Sequence, residues 1–290
     1  MPELPEVETV RRGLEPILVG NAFARVEQRR PDLRFPLPKR FGERLLGRRI
    51  ESLDRRAKYL LARLDDGEVL VMHLGMTGRF LVDQNGAVGR FPHEASAAPK
   101  HEHIVFHLGN GTSVHYSDAR RFGYMDLIPT KGLDQHALFK GLGIEPLSPG
   151  FTAEWLARRL KGKATSIKAA LIDQRLIAGL GNIYASEALF RARISPLKRA
   201  GSLVSKSGKP TKQIEALVAA IKAVLEGAIK AGGSSLRDYR RADGELGEFQ
   251  HRFKVYGREG KPCSRKGCGG TVRRIVQGGR STFYCPTCQR

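Results

Sequence analysis

The sequence predicts an α+β protein in which one helix precedes an antiparallel β-sandwich or flattened barrel, and a helical second half ends in a small ribbon. Three observations predict this arrangement. The first half alternates short β-rich runs with turns, apolar residues of the second half recur at three- and four-residue steps, and all four cysteines fall within the last 28 positions. The 290 residues are enough for two ordinary domains and an appended module.

The first element is a helix over residues 5–18. Val7, Val10 and Leu14 lie on one helical face, continued by Ile17 and Leu18. Acidic residues come early in this stretch and basic residues late, which matches the helix dipole. The sequence therefore predicts an amino-terminal helix approached through two prolines.

Short β-rich runs follow from residue 22 to residue 127. The clearest of them cover residues 58–64, 68–74, 103–108, 112–117 and 124–128. Asp66-Gly67 separates two of these runs and is a strong hairpin signal. Sequential strands joined by tight turns predict antiparallel pairing.

The second half is predicted to be helical. Residues 129–150 are rich in proline and glycine and lack a period, so we place an interdomain connection there. A long apolar stripe then runs from Ile214 to Ile229, with Thr211 as N-cap and Gly232 as the stop. Residues 83–99 and 234–250 are predicted to be loops. The expected domains are residues 1–130, a hinge at 131–150, a helical domain at 151–250 and a finger at 251–290.

The charge of the chain indicates a polyanionic partner. Lys and Arg number 50 against 29 acidic residues, for a net charge of +21 and a pI near 10.3. No apolar run approaches the ~18 residues that span a bilayer, and the acidic start is unlike a secretory signal. We therefore expect a cytoplasmic protein.

The four cysteines are spaced Cys263-x4-Cys268-x16-Cys285-x2-Cys288 around a β-prone stretch. Four thiolates at such spacing suit tetrahedral zinc, and a fully occupied shell leaves no open position for catalysis. Two disulfides are the alternative, which the otherwise cysteine-free chain disfavours. The sequence therefore predicts one structural Zn²⁺ ion in a strongly basic finger.

The amino terminus offers a nucleophile. A small residue after Met permits removal of the initiator, which exposes Pro2 as a secondary amine. Such an amine forms an iminium with a sugar C1′ that stays cationic and acidifies the C2′ hydrogen, and Glu3 beside it can move protons. The alternative is that Met-Pro is only a processed end.

Basic and aromatic residues in the first half are further candidates. Lys58 is expected to project from a sheet edge toward a cleft, or else to be an ordinary solvated lysine. His101 and His103 are expected on one strand face, with unpaired polar surface as the default explanation. Arg120 and Phe122 predict a turn suited to entering a base stack, unless Phe122 is buried.

A glycine turn at residues 179–181 opens a helix with Asn182 as its predicted N-cap. A helix start of this kind favours an anion such as a phosphate. The alternative is that Asn182 only caps the helix. Met76, which ends a predicted strand, is either a contact residue or part of the core.

Taken together, the motifs resemble one family. Six motifs occur in order along the chain. They are Pro-Glu-Leu-Pro-Glu-Val-Glu at Pro2, Arg-Ala-Lys-Tyr-Leu-Leu around Lys58, His-Leu-Gly-Met from His73, Arg-Arg-Phe-Gly from Arg120, Gly-Asn-Ile-Tyr-Ala-Ser-Glu around Asn182 and the cysteine ribbon. This pattern is similar to bacterial formamidopyrimidine-DNA glycosylase, also called 8-oxoguanine-DNA glycosylase, over essentially the whole chain. This chain departs from the family pattern in one place: four residues separate Cys263 from Cys268, where many members have two residues between the first two cysteines.

The resemblance implies a bifunctional glycosylase and AP lyase of base-excision repair. Its β-sandwich and helix-two-turn-helix domain with zinc finger would clamp duplex DNA that contains oxidised purines or abasic sites, and the chain would act as a monomer. The implied catalytic residues are Pro2 as Schiff-base nucleophile, Glu3 for proton transfer, Lys58 for β-elimination and Arg280 for δ-elimination. The implied DNA contacts are His73, Met76, His101, Arg120, Phe122, Lys163 and Asn182.

Other readings of the same residues predict different behaviour. The related endonuclease VIII type prefers oxidised pyrimidines, but its members typically begin Pro-Glu-Gly and lack the combination of Met76, Arg120 and Phe122. A non-enzymatic zinc-ribbon protein that binds DNA or RNA would also explain the charge and the cysteines. A metal-dependent abasic endonuclease is disfavoured because the carboxylates form no evident two-metal cluster.

Overall fold

The protein is described from a computed structural model, in which residues 1–84, 87–88, 99–234 and 249–290 are described. It forms two compact units. The first is Met1–Lys140 with Ala231–Gln250, and the second is Gly141–Lys230 with His251–Arg290. The loops expected at 83–99 and 234–250 fall largely outside the described residues, but residues 83–84 and 87–88 lie in strands, so the loop prediction is wrong there. The three boundaries between the four expected segments stay predictions.

The first unit contains two helices and nine strands in the described ranges. Their bounds are α1 Leu4–Leu18, β1 Phe23–Gln28, α2 Phe41–Leu45, β2 Ile50–Arg56, β3 Tyr59–Leu64, β4 Glu68–His73, β5 Arg79–Gln84, β6 Ala87–Val88, β7 Glu102–Leu108, β8 Thr112–Ser117 and β9 Tyr124–Pro129. The five strands predicted from β-rich runs are confirmed, each within two residues at its ends.

The strands form two antiparallel sheets. One has the order β2-β3-β4-β9 and the other the order β1-β7-β8-β5-β6. The hairpin predicted at Asp66-Gly67 joins β3 to β4, and Gly67 has φ of 82° as a tight turn requires. The β-sandwich prediction is confirmed.

Helix α1 belongs to the same hydrophobic core as both sheets. Val7, Val10 and Leu14 are at most 1% exposed, and they belong to one buried cluster with Leu60 of β3 and Phe106 of β7. Burial of a large aliphatic side chain stabilises by about 1.5–3 kcal/mol. This packing fixes the amino terminus against the sandwich.

The second unit consists of four helices and a terminal hairpin. The bounds are α3 Ala153–Leu160, α4 Ile167–Ile172, α5 Asn182–Arg191, α6 Lys212–Lys230, β10 Arg273–Gln277 and β11 Arg280–Tyr284. Thr211 caps α6 as predicted, since its Oγ accepts a 3.4 Å hydrogen bond from the Ile214 N–H. None of the helices in the described ranges is long and apolar enough to cross a membrane.

Candidate active site

The amino terminus is held by a reciprocal capping box. Glu3 is the N-cap of α1, and its N–H donates to Oε2 of Glu6 at 2.9 Å while the Glu3 side chain accepts from the Glu6 backbone. Pro2 is buried, and Glu3 is only 3% exposed. The residue predicted to be the nucleophile therefore lies directly before a fixed helix start.

Glu6 also reaches a distant part of the first unit. Its Oε1 accepts from the Ser234 N–H at 2.9 Å and from the Ser234 hydroxyl at 3.0 Å. The Phe249 N–H donates to the carbonyl of Gly233 at 3.0 Å. One buried carboxylate thus joins the start of α1 to Ser234. Sequence reasoning missed this link because the two residues are 228 positions apart.

The electrostatic surroundings of the amino terminus favour the unprotonated amine. Burial lowers the pKa of the Met1 amino group, which precedes Pro2, below its usual value; Glu3 and Glu6 oppose this shift, while the positive charges of Lys58 and Arg120 add to it. An amine is nucleophilic only without its proton. Lys58 and Arg120 are therefore part of the electrostatic environment of the amino terminus.

Lys58 lies in a strained turn rather than on a strand edge. The β2–β3 hairpin has a two-residue turn of Ala57 and Lys58, and Ala57 has φ of 54°, which non-glycine residues rarely adopt. Lys58 is only 6% exposed, so it is not an ordinary solvated lysine. Burial of a cation is costly, and its placement here suits a functional group.

His73 ends β4 between two aromatic rings. The Tyr124 ring stacks on the imidazole with centroids 5.4 Å apart and planes 15° apart, and the Tyr59 ring lies 5.0 Å away. The Gly75 N–H donates to His73 Nδ1 at 3.0 Å. Burial lowers the pKa of His73 to about 4, and the charges of Lys58 and Arg34 act in the same direction.

The Arg120 and Phe122 turn is built on a fully buried carboxylate. Asp118 accepts from the Gly123 N–H at 2.8 Å and from the Thr77 hydroxyl. Phe122 is 44% exposed, and the Arg120 guanidinium lies 4.7 Å from the centre of its ring. The prediction of an exposed aromatic beside guanidiniums is confirmed.

This turn packs against the His73-Leu-Gly-Met76 segment and borders an open cavity. A Cβ atom on Gly75 would lie 2.2 Å from the carbonyl carbon of Phe122, so only glycine permits the approach. Met76 is partly buried. The cavity has a volume of about 420 Å³ and is lined by Asp32, Leu33, Arg34, Arg120, Arg121 and Phe122.

The prediction that His101 and His103 share a strand face is wrong. His101 ends a short 3₁₀ turn, Pro99–His101, and β7 begins at Glu102. His103 is 3% exposed, and its Nε2 is 2.9 Å from the carbonyl oxygen of Asp118, which satisfies the ring within the core. Nothing in the local residue pattern indicates that the strand starts between the two histidines.

In the second unit, the prediction that Asn182 caps α5 is also wrong. Gly181 is the N-cap, and Asn182 is the first helical residue. Its side chain is engaged elsewhere: Oδ1 accepts from Lys168 Nζ at 2.6 Å, and Nδ2 donates to the carbonyl of Ser281 at 2.9 Å. Contacts far away in sequence override the local capping preference.

Lys168 links this helix start to the terminal hairpin. It is fully buried, and its Nζ also donates to the Thr282 hydroxyl at 2.5 Å. A buried ammonium requires such partners. Sequence reasoning missed Lys168 because its partners lie 14 and 114 residues away.

The two remaining predicted contacts are exposed and basic. Lys163 lies in the turn after α3, where its carbonyl accepts from the Gly201 N–H at 2.9 Å. Arg280 is the first residue of β11 and follows a turn of Gly278 and Gly279, which have φ of 55° and 73°. Arg280 therefore stands at the tip of the finger hairpin.

Glu187 ties the chain that leads into the finger to α5. Its carboxylate accepts three backbone N–H groups, from Lys254, Val255 and Tyr256, at 2.8–3.0 Å. Burial raises the pKa of this carboxyl, while the three donors oppose the shift. Glu187, the last residue of the motif around Asn182, therefore holds the backbone of residues 254–256 against α5.

The four cysteines form a structural zinc site. Their sulfur atoms all lie within 4.8 Å of one another, with Cys263 and Cys288 3.9 Å apart and Cys268 and Cys285 3.6 Å apart. Zn–S bonds of about 2.3 Å in a tetrahedron place sulfurs about 3.8 Å apart, whereas a disulfide needs about 2.05 Å. The four residues between Cys263 and Cys268 therefore still allow both sulfur atoms to bind one zinc ion. The sulfur separations are too long for disulfide bonds, which excludes that alternative.

The chain combines a β-sandwich that carries a capped amino terminus with a helical unit that ends in a zinc ribbon. This is the architecture of one class of zinc-finger DNA glycosylases. Family models agree with it: a formamidopyrimidine-DNA glycosylase N-terminal domain matches residues 1–125, its H2TH domain matches 142–240, and a zinc finger found in FPG and IleRS matches 260–290. The chain belongs to the formamidopyrimidine-DNA glycosylase family and is a DNA glycosylase of DNA repair.

Relatives and solved structures agree over the full length. The formamidopyrimidine-DNA glycosylase of Beijerinckia indica is 60% identical over 290 residues, and that of Chelativorans is 56% identical over 297, each covering 100% of both chains. The FPG protein of Thermus thermophilus has a TM-score of 0.82 at 43% identity, covering 99% of this chain and 98% of its own. A Lactococcus lactis FPG mutant bound to Fapy-dG containing DNA has a TM-score of 0.84 at 36% identity, covering 100% of both.

Proposed function

We propose that the chain excises oxidised purines from duplex DNA and then cleaves the strand. The substrates are 8-oxoguanine opposite cytosine and formamidopyrimidines, and the chain acts as a monomer on DNA in the bacterial cytoplasm. The observation that carries the proposal is the buried Pro2, which lies directly before the capped start of α1 and beside the buried carboxylate of Glu3. Lactococcus lactis relatives bound to Fapy-dG containing DNA and to abasic-site DNA support the substrate class.

The chemistry begins once Met1 is removed and Pro2 becomes a secondary amine. Its nitrogen bonds to C1′ while the glycosidic bond breaks, and the departing base takes the electron pair and a proton. Opening of the sugar ring leaves an iminium cation, which acidifies the C2′ hydrogen. Loss of that proton expels the 3′-phosphate, and a second elimination expels the 5′-phosphate.

Each proposed residue has a place in this sequence of steps. Glu3, the carboxylate next to the nucleophile, moves protons between the sugar and solvent. Lys58 supplies an acid or a phosphate contact for β-elimination, and Arg280 supplies the charge for δ-elimination. The charge of Lys58 lowers the pKa of both the Met1 amino group and the His73 imidazole, so Lys58 lies near both groups. This position supports its proposed role.

The remaining residues hold the DNA. A glycosidic carbon inside a duplex is inaccessible, so the nucleotide must be flipped out at a cost of a few kcal/mol. Phe122 and Arg120, with Met76, fill the gap and contact the orphaned cytosine, which offsets this cost. His73 and Asn182 bind backbone phosphates, and His101 and Lys163 are further DNA contacts.

A substrate comparison tests this function. Excision from an 8-oxoguanine:cytosine duplex is expected to be at least ~10-fold faster in kcat/KM than from a thymine glycol:adenine duplex, a difference of about 1.4 kcal/mol. Both duplexes share one flanking sequence, and an undamaged duplex is the control. A preference for thymine glycol would instead support the endonuclease VIII type of activity.

We expect Lys168 to control DNA affinity without contacting DNA. Lys168→Met keeps an unbranched side chain, one atom shorter, but leaves Asn182 and Thr282 without their shared donor, a loss of about 1.5–3 kcal/mol. The dissociation constant for a duplex with a stable abasic analogue should rise about 10-fold or more. Lys230→Met removes an exposed charge from the same unit and serves as the control. Equal affinities of the two variants would contradict the expected role.

A further inference from the structure

The register of the four-stranded sheet places three rings in one row. Tyr59 of β3 pairs with His73 of β4, and His73 pairs with Tyr124 of β9. Side chains directly opposite each other in a sheet lie on the same face and interact. His73 is therefore flanked on both sides, and the nearly parallel ring, 15° from its plane, is that of Tyr124.

The proton of the neutral imidazole has one available position. His73 Nδ1 accepts the Gly75 N–H, and a ring nitrogen that accepts a hydrogen bond does not carry a hydrogen. The proton therefore lies on Nε2. Among the residues that the structure describes, none accepts a hydrogen bond from Nε2, and His73 is only partly buried. Nε2–H is thus a donor available to a ligand.

The charges around His73 keep the ring neutral. Burial lowers its pKa to about 4, and Lys58 on the β2–β3 turn and Arg34 on the loop after β1 oppose protonation. Asp118, after β8, favours protonation but is the smallest influence. Tyr124 on β9 contributes to the burial, since its ring covers one face of the imidazole and is itself only 7% exposed.

We propose that Tyr124 is a positioning residue that holds His73 as a neutral donor of one hydrogen bond, from Nε2–H, to a phosphate oxygen of the DNA backbone. This inference rests on the proposed function, which makes His73 a phosphate ligand. The ring of Tyr124, not its hydroxyl, performs this role, because the ring stacks on the imidazole, whereas the interactions of the hydroxyl are with Tyr59. A neutral donor binds a phosphate without taking up a proton.

The state of His73 is measurable in the free protein. Long-range ¹H–¹⁵N spectra of the ¹⁵N-histidine-labelled chain should show an Nε2–H ring that stays neutral at pH 5.5, with His73→Leu identifying the signal. Tyr124→Phe should keep this state. Tyr124→Leu, which fills the space without a flat ring, and Tyr124→Ala should both raise the pKa toward its ordinary value of about 6.5.

DNA binding supplies the second measurement. In the parent chain and Tyr124→Phe, His73 contributes no change in affinity for an abasic-analogue duplex between pH 5.5 and 7.5. In Tyr124→Leu, the ring becomes cationic below its raised pKa, so affinity should increase about 3-fold or more as the pH falls. Trp155→Leu is the control, because it makes the same change from a flat ring to leucine at a side chain of α3 that packs against Phe151 and Arg159.

Three results would overturn the inference. They are an Nδ1–H ring in the parent chain, a His73 that titrates near pH 6.5 in the parent chain, and an unchanged His73 pKa in Tyr124→Leu. Failure of the proposed function is distinguishable from these. If His73→Leu binds the duplex as tightly as the parent chain, the phosphate contact is wrong, whatever the spectra of the free protein show.

Discussion

Replacing Pro2 by glycine is expected to lower the rate of base excision on the order of 100-fold, about 2.7 kcal/mol in activation free energy. Glycine still offers a terminal amine, but a primary amine gives an imine that remains cationic only while protonated. Glycine also removes the ring that fixes the backbone before the capped start of α1. The affinity for an abasic-analogue duplex should change by less than about 3-fold, because the DNA contacts remain.

Borohydride trapping measures the same step directly. The parent chain should be fixed covalently to 8-oxoguanine DNA, and peptide mapping should place the crosslink on Pro2. Pro5→Ala removes a neighbouring proline without touching the amine and is the matched control. Mass spectrometry of the intact chain confirms that Met1 is absent, since a retained Met1 turns the Pro2 nitrogen into an amide.

Two outcomes would reject this nucleophile. Full excision by Pro2→Gly at the parent rate is one, and a crosslink that maps to a lysine such as Lys58 is the other. Absence of any crosslink in the parent chain would instead favour a passive zinc-ribbon protein, because a binder without an imine leaves no adduct.

Loss of zinc is expected to weaken DNA binding about 100-fold or more. Structural zinc contributes about 10–16 kcal/mol to the folding of isolated finger peptides. The finger has little core to replace it: the buried cluster contains only Phe190, Val255, Val272 and Cys285. Unfolding of β11 would release Thr282 from Lys168 and the Ser281 carbonyl from Asn182.

Cys268→Ser tests this expectation, with Ser264→Ala in the same exposed knuckle as the control. Zinc content, DNA affinity and the melting temperature should fall together in Cys268→Ser and stay unchanged in the control. EDTA should leave excision unaffected at short times, because the four-cysteine shell leaves no position for substrate. Unchanged DNA affinity in a zinc-free variant would contradict the expected role of the finger.

Features set by neighbouring residues were predictable from the sequence. The apolar period of α1, the Asp66-Gly67 hairpin and the cap of α6 at Thr211 all depend on residues within a few positions. The cysteine ribbon was equally readable, because ligand type and spacing determine the metal chemistry. Strands β1, β2, β5 and β6 were not identified individually; in β1, half of the residues are exposed and the pattern lacks a clean alternation.

Features set by distant residues were not predictable. Glu6 meets Ser234 across 228 positions, and Lys168 meets Thr282 across 114, so no local pattern indicates either contact. Asn182 was assigned to a cap because its partners were unknown, although the role of a phosphate ligand stays a prediction. His101 was placed on β7 because alternation does not show where a strand begins.

The close approach of Gly75 to the Phe122 backbone has a practical consequence for protein engineering. Residues 73–78 and 118–123 share one steric boundary with no room for a methyl group, so a backbone shift in one segment requires a matching shift in the other. A chimera that aims to change the proposed contacts of Arg120 and Phe122 should therefore transplant both segments from the same donor enzyme as a single graft.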